Sequence, residues 1–311
     1  MSYLSLSAYV LRRSLRGLFT LWLVVTIAFV ALRLSGDPAA LLLSDSATAD
    51  DIARVREQLG LDAPVGAQYA QYFSRILLAG DFGNSLVRRE PAGTVVAERI
   101  SATLVLAVSA FVLAVACGVP AGILAAVRRN GVLDRVIMAA ALLGHSTPNF
   151  VLGTVLVLVV GLWLRALPTS GDSTWLHLVL PAITLGTAGT AALARLTRAS
   201  LLEVIRSDYV RTALAKGLRE RTVISRHALR NAAIPVITMM GIVLGNLLGG
   251  AVAAEVVFAW PGVGRLAVAS ILQRDYAVVQ AVVIIVAAVY VLLNLGVDIV
   301  YGWVDPKIRY R

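Results

Sequence analysis

Lysine, histidine and cysteine are nearly missing from this chain, and each scarcity closes a class of chemistry. A P-loop needs a glycine-rich turn that ends in Lys followed by Ser or Thr. The two lysines, Lys216 and Lys307, precede glycine and isoleucine. The chain therefore lacks this motif, and any ATP must be handled by another chain. The three histidines, His145, His177 and His227, are distant in sequence and fall on different predicted segments. With no cysteine cluster beside them they make no metal-ligand set. Cys117 is the single cysteine and lies inside an apolar run, so it reads as a packing residue. Charged residues make up only 15% of the chain. An intramembrane protease needs a nucleophile or paired carboxylates within its spans, and no such carboxylate pair appears. Asp298 sits alone near a span's inner end, as an interfacial or helix-end residue. An ion-coupled secondary transporter usually shows a midplane acid. None is present, nor is an inverted repeat, so that class stands as the alternative of a different kind.

What the chain has instead is apolar length. It is 59% hydrophobic with a mean hydropathy of +0.82. Runs free of Asp, Glu, Lys and Arg cover residues 17–32, 100–127, 136–164, 173–194, 231–254 and 276–297. A helix needs roughly 20 apolar residues to cross a bilayer core. Five runs reach that length. The first is shorter, but Arg16 and Arg33 can snorkel to the two interfaces. The expected fold is all-α and integral to the membrane, with six spans. Arg12, Arg13 and Arg16 before the first run resemble the start of a signal peptide. No small-residue cleavage site follows, so an uncleaved first helix is expected.

Cation placement orients the spans. With both termini cytoplasmic, 18 of the 28 cations fall on the inner side and 12 of the 18 acids on the outer side. The isoelectric point near 10.3 is then a consequence of topology. It does not speak for nucleic acid, because no basic run is interleaved with exposed aromatics. The expected location is the cytoplasmic (inner) membrane, multi-pass and in contact with lipid.

The chain divides into an N-terminal tail and first span (1–34), an outer helical domain (35–99), a five-helix core (100–303) and a short cytoplasmic tail (304–311). In the outer domain, Thr48 and Asp51 have the spacing of a helix-starting capping box. That helix should run to about Leu59 and stop at Gly60. A second amphipathic stretch, 69–78, should end at Gly80. Residues 128–135 form a short inner turn around Asn130-Gly131. Residues 259–275 form an outer loop in which Pro261, Gly262 and Gly264 imply a tight turn, and an interfacial helix can follow. Thr147-Pro148-Asn149 interrupts the third span. Irregular backbone at that depth must line protein or water, so Asn149 is either a pathway residue or part of a kink. Glu255, at the outer end of the fifth span, is either a pathway residue or an interfacial acid. Glycines recur in the spans, where they permit close helix approach.

The central segment, 195–230, carries nine cations and no long apolar run. Ser207 is a suitable N-cap, with Asp208 in the first turn. Tyr209, Arg211, Thr212, Ala213, Ala215 and Lys216 continue a helix of about two turns, and Gly217 is a suitable stop. A second helix from about Arg219 leads into the fifth span. Such a piece can serve as a rigid knob with small residues for close packing and charges for register. A solvated basic loop that only satisfies topology has the same composition, so composition leaves both readings open.

The letters themselves go further. DYVRTALAKGL (208–218) and RHALRNAAIPV (226–236) resemble the cytoplasmic coupling segment of ATP-binding-cassette (ABC) importer permeases, in the dipeptide/oligopeptide/nickel group. LGLDAPVGAQY (59–69) and GDFGNS (80–85) are similar to that group's first outer domain. FAWPGVG (258–264) and RDYAVVQ (274–280) are similar to its last outer loop. VDPKIRY (304–310) is similar to the ending of the first-encoded permease of a dipeptide importer. One departure stands out: the general importer pattern Glu-Ala-Ala, three residues, Gly becomes Arg211-Thr212-Ala213 and Gly217 here, as is common in the peptide group.

This resemblance implies a type I ABC importer permease fold with a small helical outer domain. It implies ATP-driven alternating access for dipeptides or oligopeptides, with nickel or glutathione as alternative cargo. The implied partners are a second homologous permease subunit, two ABC ATPase subunits and an extracytoplasmic solute-binding protein. ATP and Mg would be bound by the ATPases, and no cofactor by this chain. The coupling helix would hold Ser207, Asp208, Tyr209, Arg211, Thr212, Ala213, Ala215, Lys216 and Gly217. The pathway and gate candidates are Asn149, Glu255, Pro261, Gly262 and Gly264.

Overall fold

The computed structural model of the chain describes residues 6–34, 48–58, 62–219 and 222–304. Helix dominates them. In order they are α1 (Leu6–Leu34), α2 (Ala49–Gln58), α3 (Val65–Ala79), α4 (Ala92–Val127), α5 (Val132–Ser146) and α6 (Asn149–Leu156). Then come α7 (Leu176–Ile205), α8 (Asp208–Ala215), α9 (Leu229–Val257), α10 (Val263–Leu272) and α11 (Tyr276–Val304). Two π-helical stretches, Val157–Trp163 and Val223–Ala228, continue α6 and lead into α9. No β-strand occurs among the described residues; Asn84 and Pro91 form an isolated antiparallel bridge.

Each long charge-free run of the sequence lies mostly on helix. Five segments are long and apolar enough to cross a bilayer: within α1, α4, α7, the second π stretch with α9, and α11. The run at 136–164 departs from a single straight span. It forms α5 and then α6 with its π extension, bent by 107° between Ser146 and Asn149. Thr147 and Pro148 both have extended backbone, with ψ of 122° and 139°. Pro148 has no N–H to donate and disfavours α geometry in the residue before it. The bent pair counts as a sixth span if both arms cross as one. Large apolar side chains such as Phe19, Ile27, Val108, Val112 and Leu162 are exposed, as a lipid-facing surface requires.

The chain packs as two compact units. The first takes residues up to Ala102 and returns for Pro261–Gly296. One of its cores packs Ala92, Val95 and Val96 against Val263, Ala277, Val278 and Ala281. Another joins Val25 and Ala28 to Ile76 and Ile284. The capping box forms as the sequence predicts: the Thr48 hydroxyl donates to Asp51 Oδ2 at 2.6 Å, and the Asp51 N–H donates back at 3.3 Å. Gly80 closes α3 in the left-handed region (φ 62°), its N–H on the Arg75 carbonyl. The predicted stop at Leu59–Gly60 lies outside the described residues.

The second unit holds Thr103–Trp260 together with the chain from Val297. Its long helices approach closely through small residues. A Cβ on Gly122 would lie 2.5 Å from the Ala194 carbonyl oxygen and 2.6 Å from Thr197 Cβ. Only glycine lets α4 and α7 meet there.

Candidate functional site

The predicted coupling segment forms a short exposed helix on a stiff base. α8 runs from Asp208 to Ala215, within the bounds read from the letters. Its ends differ in kind. Ser207 occupies the predicted starting position, but its hydroxyl donates back to the Val204 carbonyl at 2.6 Å. The first amides of α8, on Val210 and Arg211, instead bond the Ser207 carbonyl at 3.1 and 3.2 Å. The hydroxyl thus fastens α8 to the end of α7. Gly217 has φ +82°, and the Leu218 N–H reaches back to the Ala213 carbonyl at 3.3 Å. This is a Schellman closure, which glycine enters without a Cβ penalty.

Among the described side chains of α8, Val210 is the buried one, at 2% exposure. Ala213 is half-buried, while Asp208, Tyr209, Arg211, Thr212, Ala215, Lys216 and Gly217 are exposed. Tyr209 is tethered at its tip, where the Asn231 amide donates to Oη at 2.7 Å. α8 packs against the end of α7 and the second π stretch. Behind it Ala126, Leu201, Ala228 and Ala232 form a core cluster joined by Ile205 and Leu229. The predicted second helix is present from residue 222 and begins as π helix. Glu220 and Arg221 lie outside the described residues.

A residue pair that the sequence reading missed holds the neighbouring turn. Asp134, in the first turn of α5, accepts Arg198 Nε at 2.6 Å and Nη2 at 2.7 Å. It also accepts the Asn130 N–H at 2.9 Å. Asp134 keeps 4% of its side-chain exposure and Arg198 27%. The signal was there to be read: an acid beside a charge-poor span wants a partner. The two residues are 64 positions apart, which the sequence alone does not bridge.

The gate candidates separate. Asn149 begins α6 beside Gly250 of α9, whose added Cβ would lie 3.8 Å from Asn149 Nδ2. It stands at the bend itself, on the backbone break that drew attention to it. Glu255 is sealed from solvent at 0% exposure and accepts the Thr103 hydroxyl at 2.6 Å. Its carboxylate lines no open surface in this conformation. Gly264 is buried in α10. Pro261 and Gly262 line a cavity of about 200 Å³ in the first unit.

Two motifs taken from the outer segments meet in that same unit. Ser85 donates to Asp275 Oδ2 at 2.5 Å, and Asp275 is 2% exposed. Tyr72 donates to Gln280 at 3.2 Å. Residues 80–85 and 274–280, distant in sequence, are thus bonded partners. The ending 305–311 lies outside the described residues.

Comparison with known proteins follows the same lines. Residues 118–310 match the family described as binding-protein-dependent transport system inner membrane component. Residues 6–107 match the N-terminal region of such membrane components. The glutathione transport system permease protein GsiC of Escherichia coli strain K12 is 46% identical over 304 residues, covering 97% of this chain and 99% of that protein. The proteins of the same name from Shigella dysenteriae and Salmonella typhi match at the same 46%. A solved structure of the MetNI methionine ABC transporter, in an inward-facing conformation, superposes with a TM-score of 0.58 at 18% identity. It covers 68% of this chain and 96% of that one, and supports the shared permease fold.

Proposed function

This chain belongs to the binding-protein-dependent transport system inner membrane components, and from that premise we propose that it forms half of an ATP-driven import pathway for short peptides. The carrying observation is α8, an exposed two-turn helix held by buried Val210, the Tyr209–Asn231 tether and a Schellman stop. A rigid projection of this kind transmits a push as a shear or rocking motion of the helices behind it. On this reading α8 seats in a cleft of an ABC ATPase subunit. ATP and Mg stay on two such subunits, a second permease completes the pathway, and a solute-binding protein delivers cargo from outside. Both termini and α8 are then cytoplasmic, and the membrane is the inner one. Hydrolysis belongs to the partners, and this chain acts as a transport subunit.

Cargo follows from the relatives. GsiC is named for glutathione transport, and glutathione is itself a tripeptide. Short peptides with a free carboxylate, glutathione among them, are therefore the proposed substrate class. The test is the complex reconstituted in vesicles with its ATPases and binding protein. ATP-dependent uptake of glutathione or a di- or tripeptide, lost when R211E and K216E are combined, is the expected result. Uptake by this chain alone, driven by a proton gradient, would refute it.

A further inference from the structure

Arg88, Arg99 and Arg265 line a single small cavity of the first unit, about 200 Å³ in volume, with Pro261, Gly262 and Leu266 also on its wall. Arg88 precedes α4, Arg99 lies in its early turns and Arg265 in the first turn of α10. Glu98 is the acid beside Arg88, at 3.5 Å, and keeps 53% of its side-chain exposure. Arg88 and Arg265 are exposed and Arg99 is half-buried, so the cluster gives the mouth of the cavity a positive potential that draws an anion toward it. The N-terminal end of α10 opens at Gly262 with no side-chain cap, which adds to the positive potential.

We propose that this cavity is a carboxylate subsite for the end of a transported peptide. A guanidinium presents paired N–H donors that match a carboxylate bidentately. The size fits an end group: sites that enclose a whole drug-sized ligand run to about 300–1,000 Å³. Leu266 supplies an apolar wall for the adjoining carbon atoms. Two of the lining residues, Pro261 and Gly262, were already marked by the sequence as the tight turn of an outer loop. The proposal rests on the importer reading, since only that reading brings peptides past this loop.

The test uses the assembled complex with its ATPases and binding protein. Phenylglyoxal modifies accessible guanidinium groups, and mass spectrometry reads the rate at Arg88, Arg99 and Arg265 separately. Trialanine at saturation should slow modification of Arg99 about tenfold, the loss expected for one charge-assisted hydrogen bond. Trialanine amide, which lacks the carboxylate, should not. Equal rates with acid and amide overturn the proposal. So does protection by peptide-free binding protein alone, which would assign the cavity to an acidic side chain of that partner.

Variants give a second readout. R99Q should raise the KM for trialanine uptake about tenfold with kcat kept, and R99K should restore part of it. An unchanged KM overturns the subsite, provided wild type transports. Absence of any ATP-dependent uptake by wild type would count against the importer reading, and the labelling result would still decide the subsite.

Discussion

Arg198 of α7 grips Asp134, in the first turn of α5, with two guanidinium contacts of 2.6 and 2.7 Å. Removing one partner of a buried pair costs about 3–5 kcal/mol, because the other charge is left without compensation. The two halves are not equivalent here. Arg198 keeps 27% of its side-chain exposure and borders a cavity of about 400 Å³, so it can turn toward water once Asp134 is gone. Asp134 borders the same cavity but keeps only 4% exposure, so its carboxylate is the harder of the two to rehydrate. D134A should therefore cost about 2–3 kcal/mol and R198A about 4 kcal/mol. The figure for D134A includes about 0.5–1.5 kcal/mol for the Asn130 N–H, which Asp134 also holds. D134L with R198M, an apolar replacement of both halves, should recover most of the loss. The assay is unfolding of the purified complex by added SDS in mixed micelles, followed by tryptophan fluorescence. The decisive comparison is each single variant against the double. A double variant no better than R198A, or singles within about 0.5 kcal/mol of wild type, would refute the coupling.

Other variants probe the remaining features. G122L should abolish assembly, because even a Cβ meets the Ala194 carbonyl oxygen at 2.5 Å; normal recovery in a membrane pull-down would count against the close approach. S85A removes the hydroxyl that bonds buried Asp275 and should cost about 1.5–3 kcal/mol, read as faster limited proteolysis of residues 80–91; equal rates would contradict it. G217V meets open space but takes a Cβ into φ +82°, so it should reduce uptake per ATP hydrolysed while the subunits still co-purify. Hydrogen bonds from Thr48, chiefly its hydroxyl, hold the Asp51 carboxyl below its ordinary value of 3.8. A depressed carboxyl stabilises its helix end only while ionised, so the contribution is whole above pH 3.8 and is lost as pH falls through the lowered value. Amide exchange in α2, corrected for intrinsic rates, should show less protection at pH 2.5 than at pH 5, and T48A should flatten that difference.

Much of the fold was legible because a membrane constrains composition so strongly. Residues 231–254 can avoid charge only if they are buried in lipid or protein, and such a run satisfies its backbone only as helix or closed barrel. The Thr48–Asp51 box and the Gly80 and Gly217 stops were legible because their chemistry is local. What escaped was either long-range or set by hydrogen-bond register. Ser85 and Asp275 are 190 residues apart, and Asp134 and Arg198 are 64. The π stretches share no compositional mark: 157–163 is wholly apolar, while 223–228 carries Ser225, Arg226 and His227. Pro148 signalled an interruption, but a 107° bend depends on Thr147 also being extended. Pro120, Pro181 and Pro235 stand inside intact helices, so proline alone did not separate kink from break. At the candidate site the helix bounds were legible and the use of Ser207 was not: a hydroxyl that can cap forward can also bond backward.

That backward bond bears on how α8 could act as a lever. A helix of eight residues is marginal alone, since nucleation consumes most of its hydrogen bonding. Its stiffness has to come from its ends and its footing. The Ser207 hydroxyl ties its start to Val204 of α7, and the Schellman bond closes its end on Ala213. Val210 and the Tyr209–Asn231 bond join it to the base of α9. Beneath lie Ala126, Leu201, Ala228 and Ala232, small and aliphatic residues with no rotamers to rearrange in the alanines. Arg198 lies seven residues before the end of α7 at Ile205, about 10 Å along the helical rise, so its grip on Asp134 ties α5 to the same footing. Force on the exposed face of α8 therefore meets three helix bases that must move together. The same unit has no such continuity at Thr147-Pro148, where the i→i−4 hydrogen-bond ladder between α5 and α6 is interrupted and the backbone carries fewer restraints.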